Sequence, residues 1–458
     1  MMPVFDFLGF LAIIGIFALS GMWRANRVKT AIAYILADRH TGLFALIATL
    51  VMTELNTSTL ISFSSAGYFA GDWAITLPLV FLIGLSFYAL TVAKKYREFN
   101  AVSVAEVFYK KYGSAYGRAV SICLICAMVG FSSTYIRSLT IFFAPLLHIN
   151  SWLLSTILIT AVVLFTLRGG LISIIRSDMV SFLLVLFFLP LIFYWTVNFN
   201  ESVPVQPISI IEGRKLLTPD FVISLIVLTS FTYILAPWYG QKIFSAKNAK
   251  IAYWAVALSS VFIFALYGLM VLACSVLQKK GIELKSAENA LPFILANVIP
   301  VGARGIAYGL IFCIGATTLA GVWSAMTSMV MSDFFILPNS NIKKPIVITL
   351  TFAFISLILA NTLVDNVFNK LVLANIPVFA LSFALLAAFY WPRVTIIGAY
   401  ASTIVGLAWG IFCYWYFGEQ GNYTVYWAFY GLPLIFLSGA GFSLLGPVLK
   451  IENQRFFG

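Results

Sequence analysis

The sequence predicts an all-α polytopic membrane protein with about thirteen transmembrane helices, built around two inverted five-helix repeats. Three observations carry this. First, 62% of the 458 residues are hydrophobic and only 10% are charged, whereas a soluble protein carries about 25% charged residues. Second, apolar stretches recur along the whole length, each long enough to cross about 30 Å of hydrocarbon. Third, polar residues interrupt two of them, the second and the seventh, and with the first set aside these two open successive groups of five. Discontinuous helices at matching places in two inverted halves mark a midplane binding site.

The spans fall near 4–23, 42–70, 73–93, 117–147, 150–167, 178–198, 219–241, 251–278, 303–332, 345–363, 367–391, 395–417 and 424–447. They divide into an extra N-terminal helix (4–23), a first repeat (42–198), a second repeat (219–391) and two accessory helices (395–447), all within one transmembrane domain spanning 1–458. The net charge of +12 invites a nucleic-acid reading, but its distribution points to a bilayer. Of the 28 Lys and Arg, Arg137 lies within a span and Arg214, Lys215, Lys279, Lys280, Lys285, Arg304 and Lys370 fall on one side. All the others, Lys242 among them, fall on the opposite side. This positive-inside asymmetry puts the N-terminus outside and the C-terminus in the cytoplasm. The expected location is a cell membrane, the bacterial inner membrane, with no nucleic-acid partner.

The five cysteines lie within spans and read as small reduced residues. The first span has neither a basic leader nor a small-residue cleavage site, so it does not read as a signal peptide. Connections between spans are short, and function is therefore sought inside the membrane.

In the second span, six of the seven residues in TELNTST (Thr53–Thr59) are polar and Glu54 is a carboxylate. A carboxylate at mid-depth costs about 2.5–3.5 kcal/mol on insertion scales. Such a stretch is reasonable where the helix unwinds, because irregular backbone survives at that depth only when it lines a cavity or is buried in protein. Pro237 supports a similar break in the seventh span, after Thr229, Ser230, Thr232 and Tyr233. The ninth span (GLIFCIGATTLAGVWSAMTSMVMSD) is rich in Gly, Ala, Ser and Thr. Close helix packing and ion binding both explain it.

At these residues the sequence resembles the solute:sodium symporter family, sodium-coupled transporters of sugars, proline, pantothenate, monocarboxylates and sialic acid. ATLVMTELNTSTLISFSSAGYFAG is similar to the first core helix with its terminal G-Y-x-x-G. TLRGGLISIIRSDMV is similar to T-x-x-G-G-x-x-x-V-x-x-T-D, and WYGQKIFSAKNAKIA to Q-R-x-x-A-A-K. ENALPFILANVIPVGARG and the helix after it are similar to P-x-x-x-x-x-x-L-P-x-G-x-x-G. The likeness covers about residues 40–335.

The resemblance implies a LeuT-type fold and Na+ as coupling ion. It nominates the carbonyls of Met52, Leu55 and Ile314 and the hydroxyls of Thr317 and Thr318 as the sodium site. The family usually has Ser-Ser at that last pair, and Thr-Thr keeps both oxygens. A second ion site found in some members adds two hydroxyls and an Asp. Asp178 matches the Asp, but the hydroxyl positions fall on Ala320 and Gly321, so one sodium per cycle is expected. Asp178 also reads as an N-cap, because RSDMV stands where a helix is expected to begin. For the solute, the resemblance nominates Asn56, Thr57, Ser58 and Thr59, then Thr229, Ser230, Thr232 and Tyr233. Arg137, in the third core helix, suggests a carboxylate or amino-acid solute. A pair with Glu54 or a place in a wet vestibule explains it equally.

The expected function is sodium-coupled import of a small polar solute by alternating access. The rival within transport is proton coupling through Glu54 and Asp178. An enzyme is not expected, since the two histidines, His40 and His148, sit near span ends without a nucleophile–base or metal-ligand cluster. A substrate sensor would need a signalling partner.

Overall fold

The computed structural model describes residues 3–22, 37–99, 101–147, 149–166, 170–200, 217–335, 343–419 and 422–445. His148, Arg168, Arg214, Lys215 and the C-terminal basic residues lie outside them. Among the described residues the chain is helical, with turns and one isolated bridge between Thr41 and Ala246.

In chain order the main helices are α1 (Val4–Met22), α2 (Leu43–Glu54), α3 (Thr57–Ala70), α4 (Thr76–Tyr88), α5 (Ser114–Leu147) and α6 (Ser151–Thr166). Then come α7 (Gly170–Val197), α8 (Pro219–Tyr233), α9 (Pro237–Phe244), α10 (Ala249–Lys279) and α11 (Ala303–Asp333). The last are α12 (Lys343–Thr362), α13 (Val367–Leu373), α14 (Ser382–Tyr390), α15 (Ile396–Phe417) and α16 (Tyr423–Leu445). Local chemistry sets several starts. Thr218 caps α8 ahead of Pro219 at its first position, where a missing N–H costs nothing. Asn248 caps α10 and Thr395 caps α15.

Nine described helical runs are long and apolar enough to cross a membrane, and two bent pairs raise this to eleven. The thirteen expected spans are reached only if α6 is added and the 43-residue run Thr57–Phe99 is divided at Gly71. That run would be about 65 Å long if straight, twice what the hydrocarbon needs. Gly71 has φ 66° and ψ −149°, and α3 and α4 both pack along α10, so the chain doubles back there.

The centre is α11, of whose most apolar 18-residue window 94% is buried. It packs against α1, α2, α5 and α7. Gly305 and Gly309, four residues apart, let α1 approach. A Cβ on Gly305 would lie 1.7 Å from the Asp6 carbonyl and one on Gly309 2.8 Å from Ile13. Asp6 is fully buried and its Oδ1 accepts from Gly302 N–H at 2.6 Å and Gly305 N–H at 3.3 Å. The N-terminal helix thus supplies the cap for α11, satisfying amides that open a helix.

Candidate functional site

The span expected to unwind does so between α2 and α3. Leu55 has φ −69° and ψ 73°, an inverse γ-turn, closed by Asn56 N–H donating to the Glu54 carbonyl at 2.6 Å. Asn56 explains why the helix restarts at once: its Oδ1 accepts from Thr59 N–H at 2.7 Å as the N-cap of α3. Its Nδ2 donates back to the Glu54 carbonyl at 2.8 Å. Tyr267, from α10, donates to that carbonyl at 2.5 Å and accepts from Asn56 N–H at 3.1 Å.

The turn decides which oxygens are free. In an unbroken helix Asn56 N–H would bond to Met52 O and Thr59 N–H to Leu55 O. Both amides are committed elsewhere, so these two carbonyls lose their helical donors. Opposite them on α11, Thr318 Oγ1 donates to Met52 O at 3.2 Å and to Ile314 O at 2.9 Å. Thr317 Oγ1 donates to Ile314 O at 3.2 Å. Four of the five nominated sodium oxygens are therefore joined in one buried hydrogen-bonded cluster, with the Leu55 carbonyl at the same turn. Small residues permit the approach: a Cβ on Gly315 would lie 2.9 Å from Leu139 and 3.4 Å from Thr57. Packing and hydroxyl display coexist on α11. A hard monovalent cation needs several oxygens and no fixed ligand charge, which this set offers.

Beside the break lies a cavity of about 80 Å³. Asn56 and Thr59 line it, as do Thr229, Thr232 and Tyr233 of α8. The structure separates them from their neighbours. Asn56, Thr59 and Phe63 share one face of α3, while Thr57 and Ser58 turn toward α5. There Thr57 Oγ1 donates to Tyr135 O at 3.1 Å and Ser58 Oγ meets Ser138 Oγ at 3.1 Å. Ser230 likewise lies off the cavity-lining face of α8.

Arg137 does not line the cavity either. Its Nη1 donates to Ser151 Oγ at 2.9 Å, and among the described residues no ion pair with Glu54 forms. Glu54, itself 1% exposed, accepts from the Tyr233 hydroxyl at 2.5 Å instead. The rest of the lining is mostly apolar, with rings that include Phe81, Phe131, Tyr135 and Trp238 and one amide, Asn375. In a chain that is 16% aromatic, nothing in the sequence singled these rings out.

Two expectations change. Asp178 is not an N-cap: α7 begins at Gly170, so Asp178 lies two turns inside it. Lys242 is not a loop base. It is fully buried on α9, and its Nζ donates to Thr49 O at 2.8 Å, to the Thr53 hydroxyl and to Asp178 Oδ2 at 3.2 Å. The seventh span bends by 46° just ahead of Pro237, and Pro237 opens the new helix rather than kinking the old one. That bend carries Lys242 back toward α2. The Gln-Lys pair in WYGQKIF was the available signal.

Phe368 and Val372 of α13 border both the cavity and a vestibule of about 250 Å³ reaching Ser62, Ser65, Glu288 and Glu419. Burial pushes the Glu288 carboxyl up. Burial acts the same way on Glu419, but hydrogen bonds from Lys370 and Asn369 outweigh it and hold that carboxyl below its ordinary value.

The sequence profile of the sodium:solute symporter family matches residues 34–406. The chain belongs to the sodium:solute symporter family. It is a sodium-coupled membrane transporter of a small solute, and not an enzyme. No curated protein matches the symporter's sequence. A solved structure described as the substrate-bound outward-open state of a Na+-coupled sialic acid symporter aligns with it at TM-score 0.78 and 15% identity, covering 97% of this chain and 98% of that one. A manganese transporter of Eremococcus coleocola, solved with an aromatic bis-isothiourea substituted compound, aligns at TM-score 0.50 and 12% identity, covering 90% and 94%. These likenesses are of fold, and that of the symporter is LeuT-type.

Proposed function

We propose that this symporter carries one sodium ion at the α2–α3 break, held by the carbonyls of Met52, Leu55 and Ile314 and the hydroxyls of Thr317 and Thr318. The observation that supports this reading is the removal of helical donors from Met52 and Leu55 directly opposite the two threonines. The solute site is the adjoining cavity, with Asn56, Thr59, Thr229, Thr232, Tyr233 and Asn375 among its polar lining. Residues 42–198 and 219–391 act as the two inverted repeats, and their broken helices meet at that site. The N-terminus faces outside, as the basic residues suggest, and the membrane is the bacterial inner membrane.

Coupling follows from the arrangement. Asn56 caps the helix bearing Thr59, and the turn closed by that same residue exposes the carbonyls offered to sodium. An ion drawn to those carbonyls fixes the break, and with it the Asn56–Thr59 face presented to solute. Inward movement of one charge through 100 mV contributes about 2.3 kcal/mol.

The expected preference for a carboxylate or amino acid rested on Arg137, which donates to Ser151 away from the cavity. The lining has no basic side chain, has several rings and sits beside the Glu54–Tyr233 pair. It favours an uncharged or amine-bearing solute with an apolar body, because rings attract ammonium groups and a carboxylate would meet no cation. Proton coupling draws less support, since Asp178 is paired with Lys242 and Glu54 is bonded to Tyr233. The test is a thermal-shift screen of purified protein against sugars, amines, amino acids, carboxylates and nucleosides with NaCl or choline chloride. Stabilisation by an uncharged or amine solute, larger in NaCl, is expected. Stabilisation by carboxylates alone would overturn the solute reading.

A further inference from the structure

A second charged cluster lies beside the proposed sodium oxygens, and neither sodium nor solute handling uses it. Lys242 Nζ is buried against a carbonyl (Thr49, 2.8 Å), a hydroxyl (Thr53) and a carboxylate (Asp178, 3.2 Å). Carbonyl, hydroxyl and carboxylate oxygens around a single positive charge form the donor set of a hard-cation site. Each donor has a structural reason to be there. Thr49 also donates its own hydroxyl to Asp178 Oδ2, and Thr53 donates to the Thr49 carbonyl at 2.8 Å. The lysine and aspartate side chains are 1% and 0% exposed. Neither charge could remain there unpaired without a cost of several kcal/mol.

The cluster touches the sodium oxygens through two threonines. Thr317, a proposed ligand, lies beside Asp178 on the face of α11 toward α7. Thr53 directly follows Met52 on the last turn of α2. Asp178 Oδ1 is buried without a partner, so the carboxylate has coordinating capacity that the ammonium does not use.

We propose that the Lys242 ammonium is a tethered cation filling a second monovalent-cation site formed by Asp178, Thr49 and Thr53, and that it limits transport to one sodium per cycle. The inference rests on the sodium reading above. The ammonium supplies the charge a second ion would bring, yet it travels with the protein and leaves nothing behind in the cytoplasm. Removing its charge while keeping Asp178 leaves a buried anion with three oxygen-bearing neighbours, and sodium is the mobile cation suited to compensate it.

The experiment compares wild type, Lys242→Gln, Lys242→Met and Lys242→Met/Asp178→Asn. It measures radioactive sodium bound per chain at equilibrium and the rise of Tm with the logarithm of sodium concentration. That rise counts ions bound to the folded state alone. One ion is expected for wild type. Two ions and a doubled dependence are expected for both single variants, returning to one in the double variant, which has neither charge. Two ions on wild type, or one on folded single variants, would overturn the proposal. No ion on wild type would instead sink the sodium reading. If the single variants are unstable, refolding yield decides the matter: recovery in NaCl but not in choline chloride supports the proposal, and failure in both overturns it.

Discussion

Replacing Thr318 by alanine removes one oxygen from the proposed sodium shell together with a buried methyl, and Thr318→Ser removes the methyl alone. The side chain is fully buried, and its hydroxyl donates to Ile314 O at 2.9 Å and Met52 O at 3.2 Å. Without sodium, the hydroxyl's single proton is shared between those two carbonyls, so the loss is one neutral hydrogen bond worth about 0.5–1.5 kcal/mol. With sodium, the hydroxyl faces a full charge, and such contacts are worth about 1.5–3 kcal/mol. Sodium affinity should then fall by the difference between the two, about 1–1.5 kcal/mol, or roughly 5-fold to 12-fold at about tenfold per 1.4 kcal/mol. The assay is sodium-activated solute uptake in proteoliposomes at fixed solute, with Tm against sodium concentration as a check independent of transport. Thr318→Ser keeps the oxygen and should stay within a few-fold of wild type, whereas Ser324→Ala, whose hydroxyl accepts from Gln241 at 3.2 Å, should change sodium dependence little. A Thr318→Ala protein with unaltered half-activation in both assays would refute the placement.

Other outcomes follow from the same structure. Gly305→Ala puts a methyl 1.7 Å from the Asp6 carbonyl and should cost about 1–3 kcal/mol by overpacking. Gly15→Ala, with nothing within 4 Å, should be neutral by thermal unfolding. Arg137→Lys should leave the KM for solute within about twofold, since Arg137 does not reach the cavity. The Lys370–Glu419 pair, 2.8 Å apart, holds the Glu419 carboxyl low in the folded state. Its stabilisation is therefore present above the ordinary carboxylate range and fades as pH falls through the lowered value. In a Tm series from about pH 7 to about pH 3, the gap between wild type and Glu419→Gln should close toward the acid end.

Much of this was legible in the sequence because the bilayer punishes misplaced polarity. Six polar residues in Thr53–Thr59 had to mean an interruption, and the paired hydroxyls of Thr317 and Thr318 stood in a recognisable order. What stayed hidden were phase and direction. Which of Asn56 to Thr59 face the cavity depends on where α3 restarts, which the Asn56 cap decides. Asp178 looked like a helix start because its basic and polar neighbours resemble an end. The helix in fact begins eight residues earlier at Gly170, whose φ is 57°. Lys242 follows the last apolar residues of its span, where a loop lysine and an inward-turned one read alike. Only the bend ahead of Pro237 separates them. Arg137 misled for a related reason, since a partly buried arginine on α5 can point to any of several neighbours.

The central claim is that the carbonyls freed at Leu55 and the α11 threonines form one cation site. The most direct measurement is a pair of cryo-EM maps, one in NaCl and one in N-methylglucamine chloride, at a resolution that shows ions. Density present only in sodium, bounded by the Met52, Leu55 and Ile314 carbonyls and the Thr317 and Thr318 hydroxyls, is the predicted result. Sodium density elsewhere, or an unbroken helix through Leu55, would contradict the account.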